Sequence, residues 1–205
     1  MATTPAVGVL ALQGDVREHQ KVLTDLGAEV VLVRTPAQLE AVSGLVIPGG
    51  ESSVIDKLSR IFELADPIRR RIEVGMPVFG TCAGLILLAD RIANPIDGQE
   101  TFGGLDVTVR RNAFGGQAFS FETDLAVPVL GAAPVHAAFI RAPVVTQTGP
   151  EVEILASLPG GEVVAVRQGS LLGTAFHPEV SGESRFHALF LQMVEGATRP
   201  GAGSA

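Results

Sequence analysis

Four short apolar runs separated by helix-like segments constrain this chain most. Residues 7–12, 29–33, 45–47 and 78–79 are too short for helices and are apolar without alternation. A strand with no polar face must be covered on both sides. Between these runs, 16–26, 36–42, 53–64 and 67–73 carry helix signals. Among them are Gly27 as a terminating glycine and Thr35 as a capping residue. Strand and helix in alternation give a parallel sheet with helices on both faces. The second half reads differently: 105–110, 136–141, 152–155, 162–166 and 171–175 suggest short strands without helices between them, and 183–194 a last covering helix. The expected fold is α/β, a three-layer open sheet, mostly parallel and flavodoxin-like, with a smaller mixed or antiparallel part from the second half. One domain over 1–195 is expected, with 196–205 as a flexible Gly-, Pro- and Ala-rich tail.

The most specific local feature sits after the fourth run. Gly80, Thr81, Cys82, Ala83 and Gly84 form a Gly-x-Cys-x-Gly turn leading into an apolar segment read as a helix over 83–92. Small residues permit a sharp strand-to-helix elbow that lifts the central side chain out of the sheet. Cys82 is the only cysteine in 205 residues. At a helix N-terminus its thiolate is favoured, and a thiolate is the nucleophile for attack on a carbonyl. A lone cysteine is often a buried structural residue; the flanking glycines favour the nucleophile.

A cysteine nucleophile needs a base and a group to orient it. Of the four histidines, His19 lies in the first helix between Glu18 and Gln20 and reads as solvated. His136 follows a proline-containing loop, and His187 lies in the last helix. His177 differs, because it precedes Pro178 at the end of the apolar run 171–175. Proline holds the residue before it extended, and extended residues two apart share a side. His177 and Glu179 can then face one site at the carboxyl end of a strand, where α/β sheets place their chemistry. The third element is Pro48-Gly49-Gly50-Glu51-Ser52, at the end of the third strand run. Two glycines can turn backbone N–H groups outward into an anion nest. For acyl transfer, one such donor to the tetrahedral oxyanion contributes about 3 kcal/mol. A phosphate loop is the weaker reading, as no lysine follows. No cofactor is implied, and one cysteine with scattered histidines suggests no metal site.

Composition narrows the partners. The net charge of −7 and the absence of Trp and Tyr argue against nucleic acid and anionic membrane surfaces. The longest apolar stretch, 125–140, is broken by Pro128, Gly131 and Pro134 and is too short to span a bilayer. The first apolar run lacks a preceding basic region and reads as a strand rather than a leader. One thiol fits a reducing cytoplasmic setting.

Taken in order, the Gly-Gly-Glu-Ser loop, the Gly-Thr-Cys-Ala-Gly elbow and His-Pro-Glu resemble the class I, triad-type glutamine amidotransferases. Within them the chain is most similar to glutaminase subunits of pyridoxal 5′-phosphate synthase. That narrower resemblance rests on Leu12-Gln13-Gly14, Glu18-His19, Arg111-Asn112-Ala113-Phe114-Gly115, Ile140-Arg141-Ala142-Pro143 and Gln168-Gly169, and spans nearly the whole chain. It implies a Cys82–His177–Glu179 triad that hydrolyses L-glutamine. It implies an oxyanion hole from the N–H groups of Gly50 and Ala83. It further implies that Gly50, Glu51, Ser52, Arg111, Ile140 and Arg141 bind glutamine. The ammonia would pass to a ring-shaped synthase core subunit for vitamin B6 biosynthesis. Glutaminases of other pathways, such as imidazole glycerol phosphate synthase, share the triad but not these stretches. Cysteine hydrolases of the intracellular protease I type carry histidine directly after the cysteine, where this chain has Ala83.

Overall fold

The computed structural model describes residues 5–114 and 120–198. Gly115 and the part of the expected tail beyond 198 lie outside the described residues.

The four apolar runs are parallel strands: β1 (Val7–Leu10), β2 (Val30–Val33), β3 (Gly44–Ile47) and β4 (Val78–Thr81). The helices between them are α1 (Val16–Asp25), α2 (Pro36–Glu40), α3 (Ser52–Ile61) and α4 (Ala65–Glu73). Local signals set several boundaries. Thr35 caps α2 in a capping box: its hydroxyl accepts from Gln38 N–H, and the Gln38 side chain accepts from Thr35 N–H, with Pro36 at the first helical position. Gly27, at positive φ, ends the α1 turn.

After β4 come α5 (Ala83–Leu88), β5 (Ala89–Ile92), β6 (Leu105–Arg110), β7 (Ser120–Leu125), β8 (Val135–Ile140), β9 (Val144–Thr148), β10 (Glu153–Ser157), β11 (Val163–Gln168), β12 (Leu171–Thr174) and α6 (Arg185–Thr198). The main sheet runs β2-β1-β3-β4-β12-β11-β9-β6-β5, with β10 on β11. Its first five strands are all parallel and follow the flavodoxin-like 2-1-3-4-5 order. From β11 onward most pairings are antiparallel. The second half therefore extends the same sheet, and only β7 and β8 form a separate antiparallel pair.

Alternate β4 residues show the layering. The Phe79 ring packs among His19 of α1 and Phe186, His187 and Phe190 of α6. Gly80 faces the other way, against the α5 backbone at Gly84. Helices α1 and α6 touch each other on the first face, and α3 and α5 touch on the second.

Three sequence expectations need correction. The helix read over 83–92 stops at Leu88, and Ala89 turns extended. Asp90 and Arg91 are exposed, so the polypeptide leaves the interior as an edge strand beside β6 rather than as further buried helix. Residues 196–198 continue α6 instead of starting the tail. Third, His19 is buried completely, with its ring against the core of the sheet.

Candidate active site

The loops following β1, β3, β4 and β12 meet at the carboxyl edge of the parallel strands, as the strand order requires. They open onto a cavity of about 300 Å³.

Cys82 is the residue between β4 and α5. Its backbone sits at φ 48 and ψ −98, a conformation that costs a non-glycine residue roughly 1–3 kcal/mol. The surroundings fix it there: Cys82 N–H donates to Thr174 O of β12 at 2.8 Å, and Ile86 N–H donates to Cys82 O at 3.3 Å. The flanking glycines are a packing requirement. A Cβ on Gly84 would lie 2.1 Å from the Ile47 carbonyl oxygen, and one on Gly80 would lie 2.5 Å from the Gly84 backbone. Helix α5 thus approaches β3 and β4 more closely than any side chain allows. The sulfur stands 3.9 Å from the Ile140 carbonyl oxygen and lines the cavity.

His177 lines the same cavity while remaining almost wholly buried. Its Nδ1 lies 2.8 Å from Glu179 Oε1, the pairing expected across Pro178. It also lies 3.2 Å from Asp15 Oδ2, on the β1–α1 loop. Burial works against charge on the ring, but hydrogen bonding with Asp15, Cys82 and Glu179 outweighs it and pushes His177 up to about 12. Burial raises Glu179, and the neighbouring imidazolium pulls the other way without cancelling the rise. The fold also brings donor atoms of Asp15, His177 and Glu179 within 4.8 Å of one another, which sequence spacing did not suggest. Both carboxylates converge on one imidazole nitrogen, so a shared proton satisfies the arrangement.

Gly50, Glu51, Ser52, Arg111, Ile140 and Arg141 all line the cavity. Arg111 Nη2 donates to Glu51 Oε1 at 2.9 Å, so cation and anion from distant segments meet at the mouth. The Gly49–Glu51 backbone is pinned by the β1–α1 loop. Asp15 N–H donates to Gly49 O at 3.1 Å, and Gln13 Oε1 accepts from Glu51 N–H at 2.9 Å. Ala83 is buried directly behind Cys82.

Two residues that touch the His177–Glu179 pair escape the sequence reading. Asp15 has no distinguishing neighbour in sequence, and only the fold brings it to His177. His19 did carry a signal: Val16, His19, Leu23 and Leu26 recur at helical spacing, which places the histidine on the apolar stripe of α1. His136 lies apart from the site, exposed on the β7–β8 pair between Asp124 and Glu122.

Comparison with known proteins finds relatives along nearly the whole chain. Residues 9–196 match the SNO glutamine amidotransferase family. The "Pyridoxal 5'-phosphate synthase subunit PdxT" of Clavibacter sepedonicus is 66% identical over 195 residues, covering 95% of this chain and 93% of that protein. The PdxT subunit of Leifsonia xyli subsp. xyli is 65% identical, covering 96% of this chain and 99% of that one. A crystal structure described as a glutamine amidotransferase superposes with a TM-score of 0.86 at 48% identity, covering 92% of this chain and 98% of that one. With a match over almost its full length, the chain belongs to the SNO glutamine amidotransferase family.

Proposed function

We propose that this chain is the glutaminase subunit of a pyridoxal 5′-phosphate synthase, hydrolysing L-glutamine to L-glutamate and ammonia. One observation carries the chemistry: a buried imidazole, held at Nδ1 by Glu179 at 2.8 Å, shares a cavity with a strained cysteine. Cys82 Sγ attacks the side-chain amide carbon. The carbonyl oxygen gains charge opposite the N–H groups of Gly50 and Ala83. His177 takes up the thiol proton as the bond forms and delivers it to the departing ammonia. Water then cleaves the thioester, His177 taking its proton, and glutamate leaves. Glutamine has two charged α-substituents, and Glu51 with Arg111 offers one counter-charge for each at the mouth. Ser52, Ile140 and Arg141 complete the substrate wall.

The partner is the synthase core subunit, in a ring-shaped assembly that receives the ammonia in the cytoplasm. Free ammonia is protonated in water, so transfer requires a covered mouth. No helix among the described residues is long and apolar enough to cross a membrane. The test is glutamine turnover with and without a pyridoxal phosphate synthase core subunit. Stimulation by that subunit is expected. Stimulation only by the core of another pathway, such as imidazole glycerol phosphate synthase, would overturn the reading.

A further inference from the structure

Behind the triad lies a buried polar chain that the reaction as written does not use. His19 and His187 are fully buried, and they come from α1 and α6, the two helices packed on one face of the sheet. His19 Nδ1 lies 2.8 Å from His187 Nε2. On the other side of the ring, His19 Nε2 lies 3.1 Å from Thr81 Oγ1 and 3.5 Å from Glu179 Oε1. Thr81 immediately precedes the nucleophile, and Glu179 is the acid of the other catalytic arm. His19 therefore bridges the end of β4 and the loop after β12 beneath the sheet edge. Glu179 otherwise has little support, for its Oε2 has no partner among the described residues. A buried carboxylate with so few donors is expensive to keep ionised.

We propose that His19 is a positioning residue for Glu179, presenting Nε2–H to the carboxylate and to Thr81, with His187 fixing which ring nitrogen of His19 carries the proton. The inference rests on the glutaminase reading of the triad. The direction of the bonds follows from charge. A lone pair on His19 Nε2 would face the Glu179 carboxylate at 3.5 Å, whereas an N–H there is attracted to it. His19 Nδ1 must then accept, so His187 Nε2 donates. The competing arrangement puts the His187 proton on Nδ1, toward the backbone of Glu183. That nitrogen has no hydrogen-bond partner of normal geometry among the described residues. Both rings are held neutral. Burial pushes His19 well down, helped by His187 and His177, and burial lowers His187 to about 4. Neutral rings preserve a directed chain: His187 to His19, and His19 to Glu179.

Two measurements test this. In the complex with the synthase core, His19→Met fills similar space without a donor, while His19→Gln returns an N–H near the Nε2 position. An N–H held 3.5 Å from a buried carboxylate is a charge–dipole contact longer than a hydrogen bond, so its loss corresponds to roughly a tenfold change in rate. His19→Met should lose about that much kcat with the KM for glutamine unchanged within about threefold, and His19→Gln should recover much of the loss. Unchanged kcat in His19→Met, or equal loss in both variants in step with lowered Tm, would make His19 a mere core filler. The second measurement needs no turnover. In the ¹⁵N-histidine-labelled wild-type chain, which has only four histidines, both His19 and His187 should carry their protons on Nε2. A proton on His19 Nδ1 instead would overturn the proposal even if the variants fail to fold. Wild-type protein that leaves glutamine intact with its partner would count against the glutaminase reading alone, since the tautomers are read independently.

Discussion

Gly49→Ala should disable the site while leaving the fold in place. Gly49 follows β3 and does not use a left-handed backbone, so alanine is tolerated conformationally. Space is the obstacle. A Cβ there would lie 2.3 Å from His177 Cε1, 2.8 Å from its Nδ1 and 2.9 Å from Asp15 Oδ2. Ordinary contacts begin near 3.4 Å, so the imidazole must retreat by roughly 1 Å, enough to cost on the order of a hundredfold in rate. That is about 2.7 kcal/mol of barrier. The ring borders the open cavity and has somewhere to go, so the global penalty should fall at the low end of the roughly 1–3 kcal/mol typical of overpacking. The assay is ammonia release in the presence of the synthase core, with urea unfolding alongside. Gly196→Ala, in α6 with open space around it, is the control. Turnover within threefold of wild type in Gly49→Ala would refute the claim that the β3 loop sets the position of the His177 ring.

Three further outcomes follow from the same geometry. His177→Asn should lose on the order of 10⁴-fold or more, as it removes both the base and the acid, whereas Glu179→Gln should lose about 10- to 100-fold. The difference arises because Asp15, 3.2 Å from Nδ1, still holds the ring; equal losses would remove Asp15 from the account. Acid should weaken the fold through His187: its folded-state value, about 4, lies below the ordinary 6.5, so the unfolded chain binds more protons between those values. Its stabilising contribution is complete above pH 6.5 and declines as pH falls toward 4, by about 2 kcal/mol at pH 5. Urea midpoints at pH 7 and 5, compared with His187→Gln, read this directly, and an unchanged pH dependence in the variant would contradict it. Gln13→Ala releases the Glu51 N–H from its Oε1 partner and should blunt activation when the synthase core is titrated in; a normal titration curve would argue that this contact has no part in activation.

The proposed catalytic residues readable from sequence are those whose geometry is set by immediate neighbours. Gly80 and Gly84 announce the elbow because the packing of α5 against β3 permits nothing larger. Pro178 announces the His177–Glu179 pair because it fixes the backbone between them. Asp15 and His19 reach the same pair only through strand order, which places β1 and α1 next to the β3–β4–β12 edge. His19 was misread because flanking Glu18 and Gln20 suggested solvent, although neighbours in a helix point in other directions. Strand β7 carries a clean alternation, with Phe121, Thr123 and Leu125 between Glu122 and Asp124, yet its polar character hides it. Strand β5 is hidden for another reason: no glycine or proline separates it from α5, and the charged Asp90 and Arg91 are compatible with a helix end as well as with an edge strand.

The central claim is that Cys82 forms the covalent bond to glutamine. The direct measurement is rapid quenching of the synthase complex with labelled glutamine, followed by peptide mapping, in wild type, His177→Asn and Cys82→Ala. A γ-glutamyl thioester should map to the peptide containing Cys82, in wild type or accumulated in His177→Asn. Cys82→Ala should show neither adduct nor turnover while still binding the core. Glutamine hydrolysis at the wild-type rate by Cys82→Ala, or an adduct on any other residue, would contradict the account.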